Sequence, residues 1–185
     1  MSRRTYKTYV LSRFIEAMTR VYGDAARGKF NRMTSEKMFP RPGRGGLVRY
    51  TQAHARKAVI AMELAELGIP IPASARLFRD RWQYIDGFCD RAEQATREGT
   101  PDVLLYIRGH QPGEAPRATA PYVGIITAAD AHILIDWLAG GDTPPRFSAT
   151  NLSAQLKALA EALQQAQPRH RGRPKRAGIR VAAQG

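Results

Sequence analysis

Arg27, Lys29, Asn31 and Arg32 fall within six residues and are of the types that read base edges in duplex DNA. Arginine and lysine donate to the guanine edge in the major groove, and asparagine pairs with adenine. Arg41, Arg44 and Arg49 follow among glycines and prolines, where cations in a tight turn can hold phosphates. Tyr50 beside them either packs that turn or adds a phosphate hydrogen bond. About half of these side chains are expected to touch DNA. Near the end, Arg171, Arg173 and Lys175 lie in a stretch without acids.

Other chemistries find less support. His54, His110, His132 and His170 are scattered without ligand spacing, and His54 is expected on an exposed helix face. Asp130 and Asp136 lie six apart, so they share no helical face and read as cap and surface charge. Cys89 is the single cysteine, so no disulfide forms within one chain. At an apolar position it reads as inert core in preference to a thiol or metal sensor. The glycines at 43–46 precede no phosphate-loop lysine. The expectation is a protein that is not an enzyme and needs neither cofactor nor metal.

Charge distribution supports polyanion contact. Residues 1–60 carry 14 Lys/Arg against 3 Asp/Glu, residues 61–167 carry 9 against 13, and residues 168–185 carry 6 against none. A basic head and tail around an acidic middle imply localised contact, of the kind that weakens steeply with salt. No apolar run reaches membrane-spanning length, and no apolar signal core follows Met1-Ser2-Arg3-Arg4. The expected setting is therefore the cytoplasm, associated with the nucleoid, with no membrane partner.

The elements that must present these residues follow from periodicity. Val10 to Tyr22 reads as a helix with Ser12 as its cap, broken by Gly23-Asp24. A second helix, from Ala25 to about Lys37, would bury Ala26, Phe30 and Met33 and turn the DNA-reading candidates outward. Phe39 to Tyr50 reads as a β-hairpin wing. Thr51 caps a helix from Gln52 to Leu67. A long helix from Pro72 to about Glu98 carries Ala75, Phe78, Trp82, Ile85, Cys89 and Ala92 at alternating three and four spacing, a coiled-coil seam expected to join two copies in preference to packing on its own domain. Val103–Ile107 and Tyr122–Ile126 read as strands, and Thr127 caps a helix carrying Ile133 to Leu138. An extended stretch after Pro145 leads into a last helix, Leu152 to Gln167. The fold class expected is mainly α with a minor β component. Its units are a winged helix-turn-helix over 1–70, a connecting and dimerisation helix over 71–99, a small α/β domain over 100–167 and a disordered basic tail over 168–185.

The stretch Phe30 to Leu67 resembles the DNA-binding domain of the MerR family of bacterial transcription regulators. The resemblance is carried in order by Phe30-Asn31-Arg32-Met33, Met38-Phe39-Pro40, Gly43 to Gly46, Val48-Arg49 before Tyr50-Thr51, and Leu64-Ala65-Glu66-Leu67-Gly68-Ile69-Pro70. Departures are Met33, where the family has Tyr or Trp, Lys37, where it has Gly, and the opening of the first helix. The resemblance implies a homodimer on a roughly palindromic operator, promoter DNA twisted or bent, and RNA polymerase as a candidate partner. Arg171-Gly172-Arg173-Pro174-Lys175-Arg176 is similar to an AT-hook, which lies in the minor groove of A/T-rich DNA; a plain adhesive tail is equally compatible. Two other readings stay open: a DNA-bending, excisionase-like accessory of a mobile element, and an RNA-binding protein.

Overall fold

The structure, a computed structural model, describes residues 8–40, 49–108, 122–133 and 147–166. Among these the protein is mainly helical with a small sheet component, as its composition and periodicity imply. No described helix is long and apolar enough to cross a membrane.

The chain opens with β1 (Thr8–Val10) and α1 (Leu11–Tyr22). Helix α1 starts from Val10 without a side-chain cap, so Ser12 lies inside its first turn and does not cap it. Gly23 ends it at φ 73°, a left-handed value that glycine adopts without steric cost. Two residues suffice to turn the chain into α2 (Ala25–Ser35). The end of α2 is set by Lys37, at φ 62°, with Lys37 N–H donating to Thr34 O at 3.1 Å and Met38 N–H to Met33 O at 3.0 Å. This is a Schellman closure with lysine in the position glycine usually fills. The same closure recurs after α3 (Gln52–Glu66), with Gly68 at φ 87° and Ile69 N–H donating to Leu64 O at 2.7 Å.

Strand β2 (Arg49–Thr51) pairs antiparallel with β1, Tyr9 opposite Tyr50. The expected partner was a neighbouring hairpin strand; the pairing found reaches back to the residues before α1. The turn of that expected wing, residues 41–48 with Arg41 and Arg44, lies outside the described residues. Thr51 does start α3: its N–H donates to His54 Nδ1 at 3.0 Å, closing a capping box.

Helix α4 (Ile71–Glu98) carries the stripe expected to join two copies, but the stripe is covered within one chain. Ala75, Phe78, Ile85, Cys89 and Ala92 are buried within one chain, and Trp82 packs against the same core. Lys57 of α3 lies over the Trp82 ring at 4.8 Å. Arg81 leaves helical geometry (φ −136°, ψ 21°), so the spacing does not run along one straight rod. A stripe interrupted and already covered offers no continuous seam to a partner helix.

Beyond Gly99, β3 (Val103–Arg108) lies between β4 (Tyr122–Thr127) and β5 (Phe147–Asn151) in an antiparallel sheet. Gly124 faces Tyr106 so closely that an added Cβ would stand 2.7 Å from its ring. Thr127 accepts from Asp130 N–H and starts a turn that continues helically through residue 133. Asn151 caps the last helix, α5 (Leu152–Gln165), by accepting from Ala154 N–H at 2.9 Å. Helix α5 packs on α1, α3 and α4. Its buried Ser153 accepts from Val103 N–H at 2.9 Å and donates to Ala92 O at 3.3 Å, tying sheet, α4 and α5 together. The buried side chains of all three expected units join in one cluster.

Candidate nucleic-acid interface

Helix α2 is divided by its sequence into two faces. Ala26, Phe30 and Met33 are buried, spaced four and three apart. Phe30 stacks on Phe39 (5.1 Å between centroids) and tilts against Phe14 at 5.6 Å, while Phe14 stacks on Tyr50 at 4.9 Å. Such rings fix a helix firmly, because each removes a large apolar area from water and few rotamers fit. On the opposite face Arg27, Gly28, Asn31, Arg32 and Ser35 are exposed. Gly28, with no side chain, leaves a shallow point between Arg27, Asn31 and Arg32.

Lys29 departs from the group. It is half-buried on the flank of α2 and forms an ion pair with Glu66 of α3. Arg32 meets Glu36 at 3.3 Å, but its side chain is 61% exposed, so solvent screens this pair and a phosphate could replace Glu36. Arg27 has no ion pair among the described residues. Lys37 is exposed at the end of the helix. In β2 successive side chains alternate: Arg49 points to solvent and Tyr50 points inward. Tyr50 is fully buried, and its hydroxyl reaches Pro40 O at 3.5 Å. It packs the aromatic cluster and is closed to phosphate, which corrects the contact role expected for it. Arg171, Arg173 and Lys175 lie outside the described residues.

Several cations counted in the basic head act inside the fold. Arg13 donates from Nε to Leu163 O at 2.7 Å and from Nη2 to Gln164 O at 3.2 Å, meeting the carbonyl end of α5, where positive charge is favoured. Arg20 bonds Glu16 at 2.8 Å and approaches Gln165 at 3.4 Å. Arg56 is held by Glu93 through two bonds (3.0 and 2.7 Å), by Asp86 at 3.0 Å and by Asp90 at 2.7 Å. Those bonds, led by Glu93, hold its guanidinium in the charged form against burial. Burial lowers Lys57 from the usual lysine range, partly offset by Asp86. The sequence carried one readable sign of this hub: Asp86, Asp90 and Glu93 stand at i, i+4 and i+7 of one helix, an acidic stripe awaiting a cation.

His54 is also not where it was expected. It is half-buried, set edge-on to Phe39 at 6.0 Å and Tyr50 at 5.8 Å. Accepting Thr51 N–H requires an unprotonated Nδ1. Burial, with Lys57 nearby, lowers its pKa from 6.5. Burial pushes the Cys89 thiol up to about 12, with the Arg56 charge opposing. A thiol that stays protonated is a poor nucleophile and ligand. His132 is exposed beside Ala129 O. Among the described residues no three His, Cys, Asp or Glu side chains converge as a metal site. An open cleft of about 440 Å³ lies between α4 and the sheet, lined by Ala95, Val103 and Ile125 together with Arg91, Glu98 and Asp130.

In the comparisons with known proteins, no family model and no curated protein matches this chain.

Proposed function

We propose that this protein is a sequence-specific DNA-binding regulator of transcription, built as a MerR-like winged helix-turn-helix in which α2 enters the major groove. The observation that carries the reading is the division of α2. One face is locked by an aromatic cluster, and the other offers two arginines and an asparagine around a glycine. An outward face of this chemistry, on the second of two helices joined by a short turn, matches what reads guanine and adenine edges.

In this reading Arg27, Asn31 and Arg32 meet bases, and Arg49, with Arg41 and Arg44 of the wing segment, holds phosphates on the flanking backbone. Lys29 orients α2 through Glu66 and is removed from the base-reading set. The basic tail adds a salt-sensitive contact, with Arg171, Arg173 and Lys175 as its core. Homodimerisation stays part of the proposal through the family resemblance alone, since the α4 stripe is already covered.

The test is selection of the purified protein against a pool of random duplexes, with duplex RNA as competitor. Enrichment of a short motif that outcompetes RNA at moderate salt is expected. A pool that remains random at low salt, or equal displacement by RNA, refutes the reading.

A further inference from the structure

Glu63 is the only buried charged side chain among the described residues. It stands on α3 and accepts a hydrogen bond from Thr150 Oγ1 of β5. Tyr22, at the last turn of α1, brings a hydroxyl beside the same carboxylate. That hydroxyl is buried and meets no partner at full hydrogen-bonding geometry, so the approach is a charged neighbourhood and not a well-formed bond. One turn further along α3, Glu66 holds Lys29 on the flank of α2. Thr150 thus ties the sheet to α3, Glu66 ties α3 to α2 through Lys29, and the Tyr22 hydroxyl of α1 borders the Glu63 carboxylate without a bond.

A buried carboxylate is costly where an apolar side chain would fill the same space. Burial raises the Glu63 pKa, with Thr150 and Tyr22 opposing; the Glu66 charge adds to the rise and the Lys29 charge works against it. The side chains beside it on α3, Val59, Ile60, Met62 and Leu64, belong to the buried apolar core. What it adds is direction: the buried carboxylate is served by Thr150 only while β5 stays against α3.

We infer that Glu63, held by Thr150, is a positioning residue for α2, setting the α1–α2 corner at one angle to the sheet so that a change at β5 is felt at the DNA-reading face. This rests on the DNA-binding reading, and the test separates the two. Thr150→Val removes the donor at nearly constant volume, and Thr150→Ser retains it. Each variant is compared with the parent by amide hydrogen exchange and by affinity for a selected duplex.

The expected result for Thr150→Val is faster exchange in α1 and α2, with α4 and α5 unchanged, and affinity reduced roughly three- to thirtyfold. Thr150→Ser restores both. Selective exchange in a protein that binds no duplex keeps the positioning role and removes the DNA reading. Unchanged exchange in α1 and α2 overturns the positioning role, and so does equal acceleration in every helix, which would mark Thr150 as a general support of the fold.

Discussion

Truncating Arg56 to alanine is predicted to cost about 3 kcal/mol of stability. Four bonds end on three carboxylates of α4, and they do not count equally. Asp90 is 67% exposed, so its pair with Arg56 is screened and contributes close to nothing. Glu93 and Asp86, at 27% and 32% exposed, retain enough shielding for roughly 1–1.5 kcal/mol each, below the usual range for charge-assisted bonds. Removing the cation also leaves three negative charges at i, i+4 and i+7, adding about 0.3–0.5 kcal/mol per pair. For a chain of this size, such a loss lowers Tm by about 6–12 °C. Urea unfolding measures the difference at constant m. Arg56→Lys should recover less than half of it, because an ammonium cannot serve Asp86 and Glu93 together. A loss under about 1 kcal/mol, or full rescue by lysine, would refute this ranking of the bonds.

Other outcomes follow from the same structure. Lys37→Gly relieves a left-handed lysine and should stabilise the protein by about 0.5–1 kcal/mol in chemical unfolding; destabilisation would contradict the helix closure described. Stability should fall as pH drops through 6.5 toward the lowered pKa of His54, because the unfolded chain takes up the proton first; above 6.5 the contribution is complete. Thermal unfolding of His54→Gln between pH 7.5 and 5.5 should show a flatter profile, and parallel profiles would remove this role. Deleting residues 168–185 takes away six cations, so the slope of log affinity against log salt should fall by up to about five. An unaltered slope would exclude contact between tail and DNA.

Helix α3 was legible because its signals are local: Thr51 before it, Gly68 and Pro70 after it. Helix α2 was legible for the same reason, its buried Ala26, Phe30 and Met33 repeating at helical spacing. Strand β1 was not, since three residues carry no period and its partner lies some forty positions away. The stripe on α4 was read correctly as apolar, but spacing alone does not tell whether α3 and α5 or a second copy covers it. Tyr50 and His54 look like surface groups by type. Tyr50 is drawn inward by the rings of Phe14, Phe30 and Phe39, and His54 by those of Phe39 and Tyr50, contacts that only the closed fold supplies. The basic head misled in one respect: Arg13, Arg56 and Lys57 are cations by count, yet each is occupied by the fold through partners that a sequence does not place beside it, while Arg20 is paired within its own helix to Glu16, four residues back.

The central claim is that the solvent face of α2 reads bases. Its most direct measurement is duplex binding by Arg27→Ala and Asn31→Ala, each scored against every single-base change in the preferred site. Loss of about 1–3 kcal/mol per variant is predicted, with relaxed preference at one or two positions and an unchanged Tm. Parental affinity and parental base preference in both variants would contradict it.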